Sequence, residues 1–187
     1  GRLIGQAVAA LATGDAIDLD VVAAEIADAV AHPVESDAPE LITDAMRRVP
    51  AIGITGTNGK TTTTRLLAHI ATTAGRVAGW CTTSGVFVAG EEVLQGDYTG
   101  PAGARRVLLD PTVEVALLET ARGGILLRGL GYESNDVSIF INVSPDHLGL
   151  LGIETVQGLA ITKSVVSAVT RPDGAAVMNA DDPLVWQ

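Results

Sequence analysis

A chain of 187 residues holds one domain of ordinary size plus an appendage, and two full catalytic domains will not fit, since domains run to roughly 100–200 residues. With 47% hydrophobic residues it can bury a real core, yet its longest apolar runs fall short of the ~20 residues that cross a bilayer, so a soluble protein without a membrane partner is expected. A net charge of −10 with only two Trp, two Tyr and two Phe disfavours nucleic-acid binding, and the single cysteine, Cys81, excludes an intrachain disulfide and a four-thiolate zinc site and fits a reducing cytoplasm.

Charge divides the chain near position 50. Residues 1–50 carry nine acids and three arginines, residues 51–187 thirteen acids and nine bases. The stretch 2–11 loosely has the look of a signal h-region, but Gln6 interrupts it and no cleavage site follows, so helix is expected; without an initiator Met the true start is left open. Asp18 or Asp20 is placed to cap a helix bearing Val21, Val22, Ile26 and Val30, and Ser36 or Asp37 to cap a second one reaching Met46, before Pro50 breaks the chain. These fifty residues carry no catalytic signature. They read as a helical packing appendage or the remnant of an upstream region.

From residue 51 onward apolar runs alternate with helical segments, the pattern of parallel strands joined by crossover helices, so the class is α/β with a mostly parallel sheet. Strands are expected at 51–55, 77–82, 113–119, 137–142 and 175–179, several of them unbroken apolar runs that suit a sheet covered on both faces. Residues 86–93 alternate around a turn-forming centre and predict a hairpin.

Three strand ends carry candidate chemistry. The first empties into Gly56-Thr57-Asn58-Gly59-Lys60-Thr61 and a helix with Leu66, Leu67 and Ile70. Glycines let backbone amides curl around an anion, the helix adds its N-terminal dipole, Lys60 neutralises phosphate and the Thr61 hydroxyl suits Mg²⁺. The usual spacing wants glycine five positions before Gly59, where Ile54 stands, so Gly56 must make the turn. The second strand ends at Glu119, followed by Arg122, Gly123 and Gly124; Glu119 reads either as a metal ligand or as a carboxylate capping a turn or pairing with Arg122 at the surface. The third empties into Asn142, Ser144, Asp146 and His147, with His147 the strongest ligand candidate, whereas His32 and His69 lack such company and read as structural. Farther on, Asn179 and Asp182 close a fifth strand and suit a base or ribose, or an ordinary turn.

Lysine usage adds an independent clue. Ten of the twelve basic residues are arginine; the two lysines are Lys60 and Lys163. Lys163 falls in a helix expected over 154–169, on the face of Val156, Leu159, Ala160 and Val166, where the bland expectation is a packed stem with its ammonium in water.

Taken in order, Thr55-Gly-Thr-Asn-Gly-Lys-Thr61, Glu119-Thr-Ala-Arg-Gly-Gly124, Asn142-Val-Ser-Pro-Asp-His147, Lys163 and Asn179-Ala-Asp-Asp182 resemble the central ATPase domain of the Mur ligases. Gly96-Asp-Tyr-Thr-Gly-Pro101, the segment from Asp110 to Gly124 and Asp146-His-Leu-Gly149 narrow the likeness to the Mur-like part of cyanophycin synthetases. The resemblance covers about 51–187. It implies a P-loop NTPase-like topology, incomplete at its C-terminal end, with residues 1–50 unlike either family's upstream region. It implies that Gly56, Thr57, Asn58, Gly59, Lys60, Thr61 and Thr62 cradle ATP phosphates, that Thr61 and Glu119 bind one Mg²⁺, that His147 and a carbamylated Lys163 hold a second, and that Asn179 and Asp182 lie near the adenosine. Thr83, Asp97, Thr99 and Arg122 are its candidates for the acceptor side.

The activity implied is ATP-dependent amide ligation through an acyl phosphate, joining small-molecule or peptide carboxylates and amines. That suits a chain with no Ser-His-Asp or Cys-His nucleophile pattern. A non-catalytic nucleotide-binding module, a small-molecule kinase and a folylpolyglutamate-synthetase-like ligase remain alternatives at this stage, and a homo-oligomer is left open.

Overall fold

A computed structural model of the chain describes residues 41–146, 148–149 and 151–186. The helices expected before residue 41, together with His32 and His147, lie outside the described residues. The described residues belong to one compact unit. Its order is β1 (Ala51–Thr55), α1 (Lys60–Thr73), β2 (Ala78–Thr82), β3 (Gly85–Val88), β4 (Glu91–Gln95), α2 (Pro101–Leu108), β5 (Val115–Glu119), α3 (Arg122–Arg128), β6 (Asn135–Phe140), α4 (Val156–Ala168), β7 (Thr170–Met178) and α5 (Pro183–Trp186).

These seven strands form one sheet in the order β4-β3-β2-β5-β1-β6-β7. β2, β5, β1, β6 and β7 run parallel, while β3 and β4 extend the β2 edge as an antiparallel hairpin. The expected mostly parallel α/β class is therefore the observed one. β1 lies at the middle of the parallel set, so the carboxyl ends of its neighbours β5 and β6 flank the loop that follows it, and a ligand in such a sheet binds at that end.

Helices cover both faces because the strands present apolar side chains to both. On one face Ile54, Ala78 and Leu117 meet Ala68, Leu67 and Ala71 of α1. On the other, Ala51, Cys81 and Leu118 meet Val107 of α2 and Val166 of α4. The approach of α4 to β1 depends on Gly53, where an added Cβ would stand 2.8 Å from Val166 Cγ1. Gly79 plays the same part beneath Val113 and Val107.

Three expectations are corrected. Residues 41–50 contain no helix reaching Met46; Ile42 is extended, donating its N–H to Gly131 O and accepting from Glu133 N, and its side chain is buried in the core. This segment is fastened to the sheet rather than set apart from it. The Arg47 guanidinium, with its side chain almost wholly buried, pairs with Asp136 and also reaches Val49 O at 3.1 Å, and Asp136 accepts the Ala51 N–H at 2.7 Å. Burial by itself raises the Asp136 carboxyl, but these bonds and the Arg47 charge outweigh it and hold the group below the usual carboxylate range. Second, β6 ends at Phe140, which leaves Asn142 in the following loop. Third, β7 starts at Thr170 and is an edge strand with Ala175, Ala176 and Val177 exposed, not a strand buried on both faces.

The hairpin has one local defect. Its turn places Ala89 at φ 52° and Gly90 at φ 90°, the two left-handed positions of a turn that favours Asn-Gly. Ala89→Asn is expected to stabilise the fold by roughly 0.5–1 kcal/mol and to raise Tm by about 2 °C in thermal unfolding followed by circular dichroism.

Candidate active site

The loop after β1 is shaped as an anion cradle. Gly59 adopts φ 83° as the N-cap of α1, a conformation that favours glycine, and no side chain caps the helix. The first-turn amides therefore have no intrahelical acceptor and face outward with the helix dipole behind them. Ile54, which occupies the customary glycine position, is fully buried in β1 against α1, so the turn begins later, at Gly56. A Cβ at Gly56 would lie 3.1 Å from Ile141 Cβ, which shows how tightly the loop rests on the chain after β6. Asn142 accepts from Thr57 N and Asn58 N, and Thr57 Oγ1 accepts from Ser144 N at 3.1 Å. Lys60 Nζ folds back to donate to Thr57 O at 2.8 Å, within the cradle itself. Thr62 is exposed on the first turn of α1.

At the end of β5, beside the loop, Glu119 is 1% exposed, which rules out a surface ion pair. Its Oε2 accepts from Thr61 Oγ1 at 2.8 Å, and Thr61 Oγ1 lies 3.3 Å from Thr83 Oγ1. Burial raises the Glu119 carboxyl, the Thr61 hydroxyl and the Lys60 charge oppose that rise, and Asp97 adds to it. The other oxygen, Oε1, is buried with no hydrogen-bond partner. An unsatisfied carboxylate oxygen next to a threonine hydroxyl and a phosphate cradle suits Mg²⁺, which takes one or two carboxylates and completes its shell with phosphate and water. Among the described residues no three or more His, Cys, Asp or Glu side chains gather into a cage. A metal here would take the rest of its shell from phosphate oxygens and water.

A cleft of about 220 Å³ joins the three strand ends, lined by Thr57, Lys60, Thr83, Arg122, Asp146 and Lys163. Lys163 is 3% exposed, so the expectation of a stem packed with its ammonium in water is overturned; Nζ donates instead to Gly56 O at 2.8 Å. Burial, then the charges of Lys60 and Arg122, bring its pKa down to about 8 against the pull of Asp146. The cleft is thus cationic in a strongly acidic chain. Cys81 is buried nearby, its thiol pushed up to about 12 by burial and by the Glu119 charge, and that removes it as a nucleophile.

The remaining candidates fall into two groups. Asp97 Oδ1 accepts from Thr99 N at 3.0 Å and Thr99 Oγ1 at 2.7 Å, while Thr99 O accepts from Ala121 N, so their loop is stapled beside the β5 end. A second cavity of about 180 Å³ opens there, bounded by Asp97, Thr99, Gly100, Gly124 and Arg128. Asn179 and Asp182 lie at the end of β7. Both Asp182 oxygens are engaged with backbone, Oδ2 with Val143 N at 2.7 Å and Oδ1 with Leu184 N at 3.0 Å, and Asn179 Oδ1 accepts from Asp181 N. They brace the chain after β6, on which the phosphate loop rests. His69 is exposed on α1 and does not line the cleft.

The grip of Asn142 on the loop and the reach of Lys163 to Gly56 carry no mark in the sequence. Both join residues more than eighty positions apart, and no spacing marks them.

Comparison with known proteins gives the family and the fold. The profile of the Mur ligase middle domain matches residues 54–187. The chain is 54% identical over 140 residues to a cyanophycin synthetase of Geminocystis herdmanii, a match that covers 75% of this chain and 16% of that protein. It is 30% identical over 198 residues to the UDP-N-acetylmuramoyl-L-alanyl-D-glutamate–2,6-diaminopimelate ligase of Chlorobaculum tepidum, covering 97% of this chain and 37% of the ligase. Among solved structures, a bifunctional folylpolyglutamate synthase/dihydrofolate synthase with Mn, AMPPNP and L-glutamate bound shares the fold at a TM-score of 0.55 and 23% identity, over 73% of this chain and 39% of that one. The chain thus spans about a sixth of the length of the cyanophycin synthetase it matches. With the sheet order, the cradle and the sequence match in agreement, the chain belongs to the Mur ligase middle-domain family.

Proposed function

We propose that this chain is the ATP-binding part of a carboxylate–amine ligase that forms an amide through an acyl phosphate, of the cyanophycin synthetase type, acting on amino-acid or peptide substrates in the cytoplasm. The observation that carries the reading is the buried, unpartnered Glu119 Oε1 beside Thr61 and the cradle of Gly59 and Lys60. In this reading a substrate carboxylate oxygen attacks the γ-phosphorus and ADP leaves; an amine nitrogen then attacks the acyl carbon, phosphate leaves and the amine loses a proton.

The residues supply position and charge. The first-turn amides of α1 and the Lys60 ammonium hold the phosphates, while Arg122 adds positive charge to the cleft lining. Thr61 and Glu119 would hold Mg²⁺, which offsets charge on the transferring group. His147 is proposed as a further ligand, and Thr83, Asp97 and Thr99 as acceptor-side residues. Asn179 and Asp182 would border the adenosine. Lys163 is proposed to react as its neutral amine with CO₂, giving a carbamate and a proton, because burial and the two nearby cations favour the uncharged form.

Mass spectrometry of products from the intact protein with ATP, Mg²⁺ and mixed amino acids and peptides tests the reading. An amide product with stoichiometric ADP and phosphate is expected; a phosphorylated acceptor without an amide overturns it. Glu119→Gln is expected to weaken the metal dependence of that activity, raising the half-saturating Mg²⁺ concentration about 10- to 100-fold.

A further inference from the structure

Asn142 holds the phosphate loop through four contacts. Its backbone O accepts from Thr57 N at 2.9 Å; its side-chain Oδ1 accepts from Thr57 N at 3.1 Å and from Asn58 N at 2.9 Å; and its Nδ2 donates to Asn58 O at 3.2 Å. Thr57 Oγ1 and the Asn58 amide group further bind Ser144, two residues on. The pair Thr57 and Asn58 sits where a glycine-rich loop ordinarily offers its amides to an anion. Here both N–H groups are taken up by Asn142, Thr57 N by its backbone O and Oδ1 and Asn58 N by Oδ1.

We propose that Asn142 is a positioning residue that withdraws the Thr57 and Asn58 amides from anion binding and fixes the phosphate cradle as the N–H groups from Gly59 onward together with Lys60. The inference rests on the nucleotide-binding reading above and specifies how that site is built. The argument is one of donor geometry. Each backbone N–H carries a single hydrogen, and the 2.9 Å bond of Asn58 N to Oδ1 leaves none for a phosphate oxygen. The α1 amides, uncapped by any side chain, remain available. Nδ2 closes the carboxamide on Asn58 O, so the loop is held from both its donor and its acceptor side and keeps one shape before ligand arrives. A cradle formed in advance loses less order when it binds. Val143, next in sequence, donates to Asp182, so the clamp is itself braced from the end of β7.

Backbone amide exchange by NMR on the intact protein without nucleotide, with ATP and inorganic tripolyphosphate affinities by calorimetry, tests the proposal. The Thr57 and Asn58 amides should be protected, and should remain protected with ATP bound. In Asn142→Ala that protection should be lost while the β1 amides stay protected, and ATP and tripolyphosphate should both bind about tenfold more weakly, because the defect lies at the phosphate end. A merely structural asparagine would not move the two ligands together at constant β1 protection. If Asn142→Ala does not fold, Asn142→Asp decides. It keeps an acceptor for both amides, so their protection should survive, while its negative charge beside the cradle weakens tripolyphosphate binding. Parent protein that binds neither ligand overturns the nucleotide reading and the clamp with it. Parent binding with unaltered affinity in Asn142→Ala, or ATP binding that deprotects Thr57 and Asn58, overturns the clamp alone.

Discussion

Lys60→Ala is expected to weaken ATP binding roughly 10- to 100-fold, the 1.5–3 kcal/mol of a charge-assisted hydrogen bond, and to lower the ligation rate by a further factor of about 10²–10³. The larger kinetic effect follows from where the charge sits. Lys60 Nζ donates to Thr57 O at 2.8 Å, so phosphate binding exchanges a neutral acceptor for charged oxygens, and the gain grows as negative charge builds on the transferring group. The fold should survive, because the Lys60 side chain fills no core position and α1 packs through Thr64, Leu67, Ala68 and Ala71. Calorimetry with ATP and Mg²⁺, set beside steady-state ADP release, measures the two effects separately. Unchanged ATP affinity in a folded variant contradicts the assignment of this loop as the phosphate site.

Much of the framework was legible because it is written in short-range patterns. β1 begins and ends where its apolar run does, and the glycine pair with Lys60 and Thr61 signals an anion cradle over six residues. The apolar run before Glu119 places it at a strand end, although its burial, which decides between a ligand and a surface pair, is a property of the sheet. Lysine scarcity and an apolar helix face single out Lys163, but the face alone predicts a solvated ammonium. Gly56 O and the cleft wall, which remove that outcome, come from elsewhere in the chain. The misplaced helix before Met46 has a similar cause. Capping residues and apolar spacing favour helix locally, and the extended pairing of Ile42 with the chain around Tyr132 overrides them. Arg47 and Asp136, eighty-nine positions apart, carry no mark in the sequence of the pair that anchors this segment.

Lys163→Arg is expected to abolish ligation, by about 10³-fold or more, while leaving ATP affinity within a few-fold of the parent. The guanidinium stays charged at every accessible pH and cannot take up CO₂, whereas the Lys163 amine, with a pKa brought down to about 8 from 10.5, is neutral in about a tenth of molecules at pH 7. The sign of the pH effect follows. Between about 8 and 10.5 the folded chain binds fewer protons at this site than the unfolded chain does, so this group makes stability rise with pH across that window; below about 8 the cost of burying the ammonium is present in full. Carbamate formation should climb about tenfold per unit up to pH 8 and then level off, since the neutral amine is the reacting form. Two measurements check this: ¹³C NMR of the protein in labelled bicarbonate, where a carbamate resonance should be absent from Lys163→Arg, and ligation rates in buffer stripped of CO₂, which should fall in the parent and recover on adding bicarbonate. Full ligation by Lys163→Arg, or a rate indifferent to CO₂ together with no carbamate resonance, leaves Lys163 a buried cation held by Gly56 and removes the carbamate from the mechanism.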